Sequence, residues 1–280
     1  MKTLLANPVL VKEIKLRFRS MKSFTGILFY LIAMSIFVFG FIFLTTSLTG
    51  SGFFRPDESF LLFSMMTYIQ LGLILFITPG LTAGTVSAER EKQTLNILLT
   101  TAQTSFQIIF GKLTSSIAFL LLMIVSGLPI YSLVFLYGGV APLQIVVIFL
   151  FYFLTLLAIG SIGVMYSTLI RKTIVSMIVT YGTMIFLTVV TAFFLLLSVQ
   201  ISAFGSATPT FSPFSYFWAS INPAVVMLTL LQPGFATEIQ TMTAIDLPLW
   251  VGYAIFYSLL TAGAVWLSVK RLRVNMNKYK

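Results

Sequence analysis

Glu89-Arg90-Glu91-Lys92 is the longest unbroken run of charged residues in this chain. Charge is scarce around it: 9% of 280 residues, against about 25% in a soluble domain. A guanidinium flanked by two carboxylates can form ion pairs, cap helix ends or offer a polar face to a partner. The chemistries that are missing are as informative. With no His and no Cys there is no Ser-His-Asp triad, no thiol nucleophile, no haem His and no ordinary zinc site. No catalytic and no metal-ligating residues are therefore expected. A phosphate-binding loop needs Gly-x-x-x-x-Gly-Lys-Ser/Thr. The nearest match ends at Gly111-Lys112, with Phe106 where the first Gly belongs and Leu113 where the hydroxyl belongs.

The residues around the charged run predict helix. Ser87 is a good N-cap, and Glu89 and Glu91 then fall in the first turns, where the helix dipole favours carboxylates. Leu95, Leu98 and Leu99 give the same helix an apolar face. Thr104-Ser105-Phe106-Gln107 is a capping box that opens a second helix toward the next apolar run. The segment 84–111 thus reads as a short amphipathic helix, a turn and a helical re-entry. On these grounds Glu89 and Glu91 are either a solvated helix start or a functional charged end. A second amphipathic segment covers 8–22, where Asn7 caps and Pro8 takes the first helical position. Leu10, Val11, Ile14, Phe18 and Met21 share one arc of about 100°. Val9 and Leu16 fall outside it, and Lys12, Lys15, Arg19 and Lys22 lie opposite. This predicts a basic helix lying in the headgroup region of a membrane, with lipid as its partner.

Such segments need an apolar frame to hold them. Hydrophobic residues make up 58% of the chain. Six runs reach the roughly 20 residues that cross a bilayer: 24–48, 60–81, 113–137, 143–170, 173–203 and 247–269. The first follows a basic segment and is too long for a signal peptide. The expected fold is a single all-α integral membrane domain over 1–280, with six transmembrane helices. Counted across these runs, 16 of the 17 Lys and Arg fall on the N-terminal side and Arg55 alone on the other. That bias predicts cytoplasmic N- and C-termini in the cytoplasmic membrane. The net charge of +10 is then a topology signal. No nucleic-acid partner is expected, since no basic patch is interleaved with stacking aromatics. No Asp, Glu, Lys or Arg lies inside the six runs, which counts against a proton- or sodium-coupled carrier.

Polar residues inside the runs are hydroxyls and amides. Thr173, Ser176, Thr180, Thr183, Thr191 and Ser198 of the fifth run fall within about 80° of a helical wheel. Ser64, Thr67, Gln70 and Thr78 form a looser set in the second. Hydroxyls so spaced either line a polar path or pack helices and bond their own backbone. Gly160 and Gly163, the latter four residues before Ser167, read as packing notches. Within 204–246, Ser212-Pro213 and Asn222-Pro223 pair an N-cap with a first-position Pro. They predict two short helices, 213–221 and 223–231. Phe214, Tyr216, Phe217 and Trp218 on the first suit a membrane interface.

The loop Glu89-Arg90-Glu91-Lys92-Gln93-Thr94-Leu95-Asn96-Ile97-Leu98-Leu99-Thr100-Thr101, followed by Gly111-Lys112, resembles the cytoplasmic loop of type V ABC exporter permeases, the ABC type-2 permease superfamily. There the loop reads Glu, a base, Glu, two residues, Thr-Leu, a short apolar stretch and then Gly-Lys. Asn7-Pro8-Val9-Leu10-Val11-Lys12-Glu13 is similar to the start of many members. The chain departs from the family at Ala102 and Gln103, where Pro is common. The resemblance implies a permease that binds no cofactor itself. It implies a separate ATP-binding cassette ATPase that carries ATP and Mg, and a second permease, identical or homologous. It makes Glu89, Arg90, Glu91, Leu95, Leu98 and Leu99 a coupling helix that docks in a groove of the ATPase. It makes Ser64, Thr67, Gln70, Thr173, Ser176, Thr180, Thr183 and Thr191 candidates to line a path between two permeases. It assigns the outer helices, with Phe214, Phe217 and Trp218, to an external gate, where the residues alone equally suit an aromatic anchor. Lys12, Ile14, Lys15, Phe18 and Arg19 mark the interfacial helix. A secondary transporter and a non-transporting scaffold or sensor are the rival expectations.

Overall fold

The computed structural model describes residues 8–19, 21–49, 55–95, 103–138, 140–204, 213–243 and 245–277. Among the described residues every regular element is a helix. The chain opens with α1 (Pro8–Phe18), α2 (Met21–Thr49), α3 (Pro56–Thr82) and the five-residue α4 (Ser87–Glu91). Next come α5 (Ser105–Ser126), α6 (Leu128–Tyr137) and α7 (Pro142–Leu169). Then follow α8 (Thr173–Ile185), a π-helical segment (Phe186–Val190) and α9 (Thr191–Phe204). Three short helices, α10 (Pro213–Ile221), α11 (Pro223–Leu231) and α12 (Pro233–Thr243), precede the last, α13 (Leu249–Asn277).

Among the described residues, six helical stretches are long and apolar enough to cross a bilayer, and the chain is a multi-pass membrane protein. Their number is that of the runs read from the sequence, while their ends differ, the second running on through α4 to Glu91. α2, α7 and α13 supply one each, and α3 with α4, α5 with α6, and α8 with α9 the other three. The third is broken at Gly127, two residues before Pro129, which has no backbone N–H to give. A Cβ at Gly127 would sit 2.5 Å from the Tyr30 hydroxyl. That hydroxyl donates to Gln70 Oε1 at 2.5 Å, so the bare glycine makes room for a polar bond between α2 and α3.

α7 is the hub. It packs along α13 and α3 and also meets α5 and α8. Gly160 and Gly163 are the notches that permit this. A Cβ at Gly160 would meet Leu113 Cδ1 at 3.3 Å, and one at Gly163 would collide with the Thr82 side chain. Buried tyrosines find backbone acceptors on α3, as a dry interior favours. Tyr152 donates to the Thr67 carbonyl at 2.7 Å and Tyr131 to the Met66 carbonyl at 3.2 Å. A second, smaller core lies where α4, α5 and the ends of α7 and α13 converge, from Val86, Leu95, Ile108, Ile109, Leu113, Ile117, Val164 and Leu272. This is the basic end of the bundle.

Four local features differ from the sequence reading. The amphipathic N-terminal helix stops at Phe18, short of Lys22. It runs beside α5 in the same direction, with Glu13 against Lys112 and Phe18 against Phe119. The described residues between the fifth and sixth stretches hold three short helices, since α12 follows α11 after a single linking residue. The fifth stretch contains one π turn and is not uniformly α-helical. The two other short helices have the bounds expected, and they meet at a 93° corner. Asn222 caps α11 there, accepting the N–H groups of Ala224 and Val225 at 2.9 and 3.1 Å.

Candidate functional site

Each residue of the Glu89-Arg90-Glu91 run reaches a different helix. Glu89 Oε1 accepts from Lys112 Nζ at 2.7 Å, and the same ammonium donates to Glu13 Oε1 at 3.1 Å. Lys112 is 3% exposed, while the two glutamates keep about a quarter of their side-chain surface. One cation therefore ties α1, α4 and α5 together. Arg90 donates to the Thr168 carbonyl at 3.0 Å and the Ile170 carbonyl at 3.3 Å. These belong to the C-terminal turn of α7, whose carbonyls have no partner inside the helix. Burial, and then Arg171, push the Arg90 guanidinium below its usual pKa. Glu91 accepts the Thr173 backbone N–H at 2.8 Å and the Thr173 hydroxyl at 2.9 Å, and so caps α8 from outside. Those two bonds hold the Glu91 carboxyl below its usual pKa.

The return tie comes from α7. Ser167 Oγ accepts the N–H groups of Val86 and Ser87 at 2.9 Å each and donates to Ser87 Oγ at 3.2 Å. The expected cap at Ser87 is therefore displaced by one residue. Val86 occupies the N-cap position, and a hydroxyl from another helix does the capping. The start of α4 is buried against α7, which puts Ser167 in reach and removes the need for a local cap.

α4 is shorter than expected, because Lys92 ends it and Gln93 turns with φ of 58°. Leu95 lies beyond that turn. It is 3% exposed and faces inward, within the small core at the basic end. Leu98 and Leu99 lie outside the described residues. Among the described residues of this loop, Glu91 to Thr94 are exposed, as are Thr104 and Phe106 beyond the turn.

The hydroxyl stripe faces its own bundle. Ser176, Thr180 and Thr191 are fully buried, as are Thr67 and Gln70. Thr180 donates to the Ser176 carbonyl, Thr67 to the Ser64 carbonyl, and Ser64 to the Phe60 carbonyl. Thr183 bonds the Val179 carbonyl and Tyr166 Oη. Thr173 is drawn into the Glu91 contact. The outward face of α8 and α9 is apolar, with Ile178, Ile185, Val189, Phe193 and Leu196 exposed. Within one chain the stripe is thus a packing seam. Sequence spacing could place it on one face of a helix, but not say which way that face turns.

On α1, Lys12, Lys15 and Arg19 are exposed, and Ile14 and Phe18 are half-buried toward α5. The inward face also takes Val9, at 5% exposure, together with Glu13 and Arg17. Val11 and Met21, assigned to the apolar arc, are exposed. The arc is rotated because the buried face is set by Lys112 and Phe119 on α5, which spacing within α1 cannot reveal. On α10, Trp218 stacks on Phe194 at 4.8 Å, while Phe214 and Phe217 are exposed. Asn222 Nδ2 donates to the Thr188 carbonyl at 2.6 Å and to Thr191 Oγ1 at 2.8 Å.

Three residues of the site escaped the sequence reading as site residues: Glu13, Lys112 and Ser167. Lys112 carried a signal, as an ammonium at the head of an apolar run. The helix begins before it, at Ser105, so a buried charge does enter the third stretch. No family model matches the chain, and no curated protein matches it.

Proposed function

We propose that this chain is the permease subunit of an ATP-driven ABC exporter of the type V group, in the cytoplasmic membrane with both termini inside. Its partners would be an ATP-binding cassette ATPase, which holds ATP and Mg, and a second permease. The observation that carries the reading is the charged loop. Its Glu-Arg-Glu run resembles the coupling loop of that family, and each charge is bonded to a different element, α5 with α1, α7, and α8. A push on such a loop reaches three apolar stretches at once, which suits a device that passes motion from a soluble engine into a membrane bundle. The exposed turn Lys92-Gln93-Thr94 is the part free to meet an ATPase, and Glu89 to Glu91 serve as the linkage behind it.

Affinity capture of the full chain from its native membrane tests this. It should retrieve an ATPase that hydrolyses ATP. Lys92→Glu with Thr94→Glu should weaken that complex at least about tenfold, a cost of about 1.4 kcal/mol, with membrane insertion unchanged. Recovery of no ATPase would sink the proposal and favour a scaffold or a carrier.

A further inference from the structure

α1 has two faces, and among the described residues only one is buried. Val9, Leu10, Glu13, Ile14, Arg17 and Phe18 turn toward α5. Lys12, Lys15, Leu16 and Arg19 stand on the other side, at positions i, i+3, i+4 and i+7 of one stripe. The Arg19 N–H bonds the Lys15 carbonyl, so the helical register extends to the end of the stripe. All four are exposed, Leu16 at 60%. Among the described residues, none of the three cations has a carboxylate partner. The nearby acids are already committed: Glu13 and Glu89 to Lys112, and Glu91 to Thr173. Exposed apolar residues follow the stripe in the chain. Met21 is 79% exposed, and Phe24, Leu28 and Phe29 are exposed on α2, a helix that crosses the membrane.

We propose that the Lys12-Lys15-Leu16-Arg19 stripe binds the phosphate headgroups of anionic phospholipids. The occupant follows from three features together. The charge is uncompensated and positive. An aliphatic side chain sits among the cations, which an acidic protein groove would leave unburied but an acyl boundary accepts. The stripe also runs alongside a membrane helix, since Phe18 meets Phe119 two turns beyond Lys112 on α5. This inverts the usual placement of an amphipathic helix on a membrane. The apolar face is taken by protein, and the cationic face meets lipid from the side.

The test uses the full chain reconstituted in phosphatidylcholine vesicles doped with spin-labelled phosphatidylglycerol or spin-labelled phosphatidylcholine. The immobilised fraction of each label gives the lipid preference. A basic residue near an anionic lipid contributes about fivefold at low salt. The wild type should prefer phosphatidylglycerol about fivefold or more, and raising salt from about 0.05 to 0.5 M should erase most of it. Lys12→Gln with Lys15→Gln and Arg19→Gln should bring the preference near unity. Leu16→Glu, which keeps every cation, should lower it at least about twofold. Lys92→Gln with Lys172→Gln, which removes charge elsewhere at the same end, should leave it in place. An unchanged preference in the triple variant would overturn the proposal, as would an equal loss in the Lys92 and Lys172 variant. A triple variant that keeps the lipid preference but no longer captures a soluble protein would assign the stripe to that protein instead.

Discussion

Lys112 is held by two carboxylates on two different helices, and a buried ammonium of this kind is costly to leave alone and costly to remove. Lys112→Met would leave Glu13 and Glu89 facing each other without their shared cation. Because both glutamates keep some solvent, the loss should be near the lower end of the range for a broken buried pair, about 3 kcal/mol. Thermal unfolding in detergent would measure it. Adding Glu13→Gln and Glu89→Gln to the variant should recover most of the loss. If it does not, the methionine is at fault and not the stranded charge. At this scale the sequence marked Glu89, Arg90 and Glu91 as the charged site but not their partners. Glu13 and Lys112 are 99 residues apart, and nothing in local spacing encodes a contact of that separation. Ser87 failed for the related reason that a good cap by type was supplanted by Ser167 from a neighbouring helix.

Helix ends divide into those closed locally and those closed at a distance. The capping box of α5 is local, with Gln107 N–H donating to Thr104 Oγ1 at 3.2 Å and Thr104 N–H to Gln107 Oε1 at 3.0 Å. The C-terminal end of α7 and the starts of α4 and α8 are closed by residues from other helices. Local closures were legible, and so were α10 and α11. Distant closures were not, and α4 was overextended because Leu95, Leu98 and Leu99 looked like its apolar face. Asn222 does both jobs, capping α11 and reaching the fifth stretch. Asn222→Ser keeps a cap acceptor but loses the amide donor to Thr188 and Thr191, while Asn222→Ala loses both. A cap is worth about 1 kcal/mol. Melting temperatures should therefore fall from wild type to Ser to Ala, with Ser clearly below wild type. A serine variant as stable as wild type would mean the reach across to α9 contributes nothing.

At the scale of the whole chain, composition alone fixed the class, because 58% hydrophobic residues in six long runs leave no soluble alternative. The proposed orientation rests on the cation count, and the chain's lack of cysteine makes it easy to test. Lys92→Cys should react with a membrane-impermeant thiol reagent only from the cytoplasmic side, and Glu238→Cys only from the outside. The opposite pattern would reverse the topology. What the sequence could not set is the rotation of each helix about its own axis, which decides whether a hydroxyl stripe faces a neighbour or a path. The π segment at Phe186–Val190 bears directly on that rotation. A π turn is an α-helix carrying one residue too many. Without that residue, everything after it would screw round by about 100° and draw in by about 1.5 Å. Thr191 would swing off Asn222, and Ser198 off Ser215, which it now meets at 2.8 Å. The surplus residue is therefore a phase correction, setting the azimuth at which the corner between α10 and α11 is gripped against a span whose other end is already pinned by Glu91.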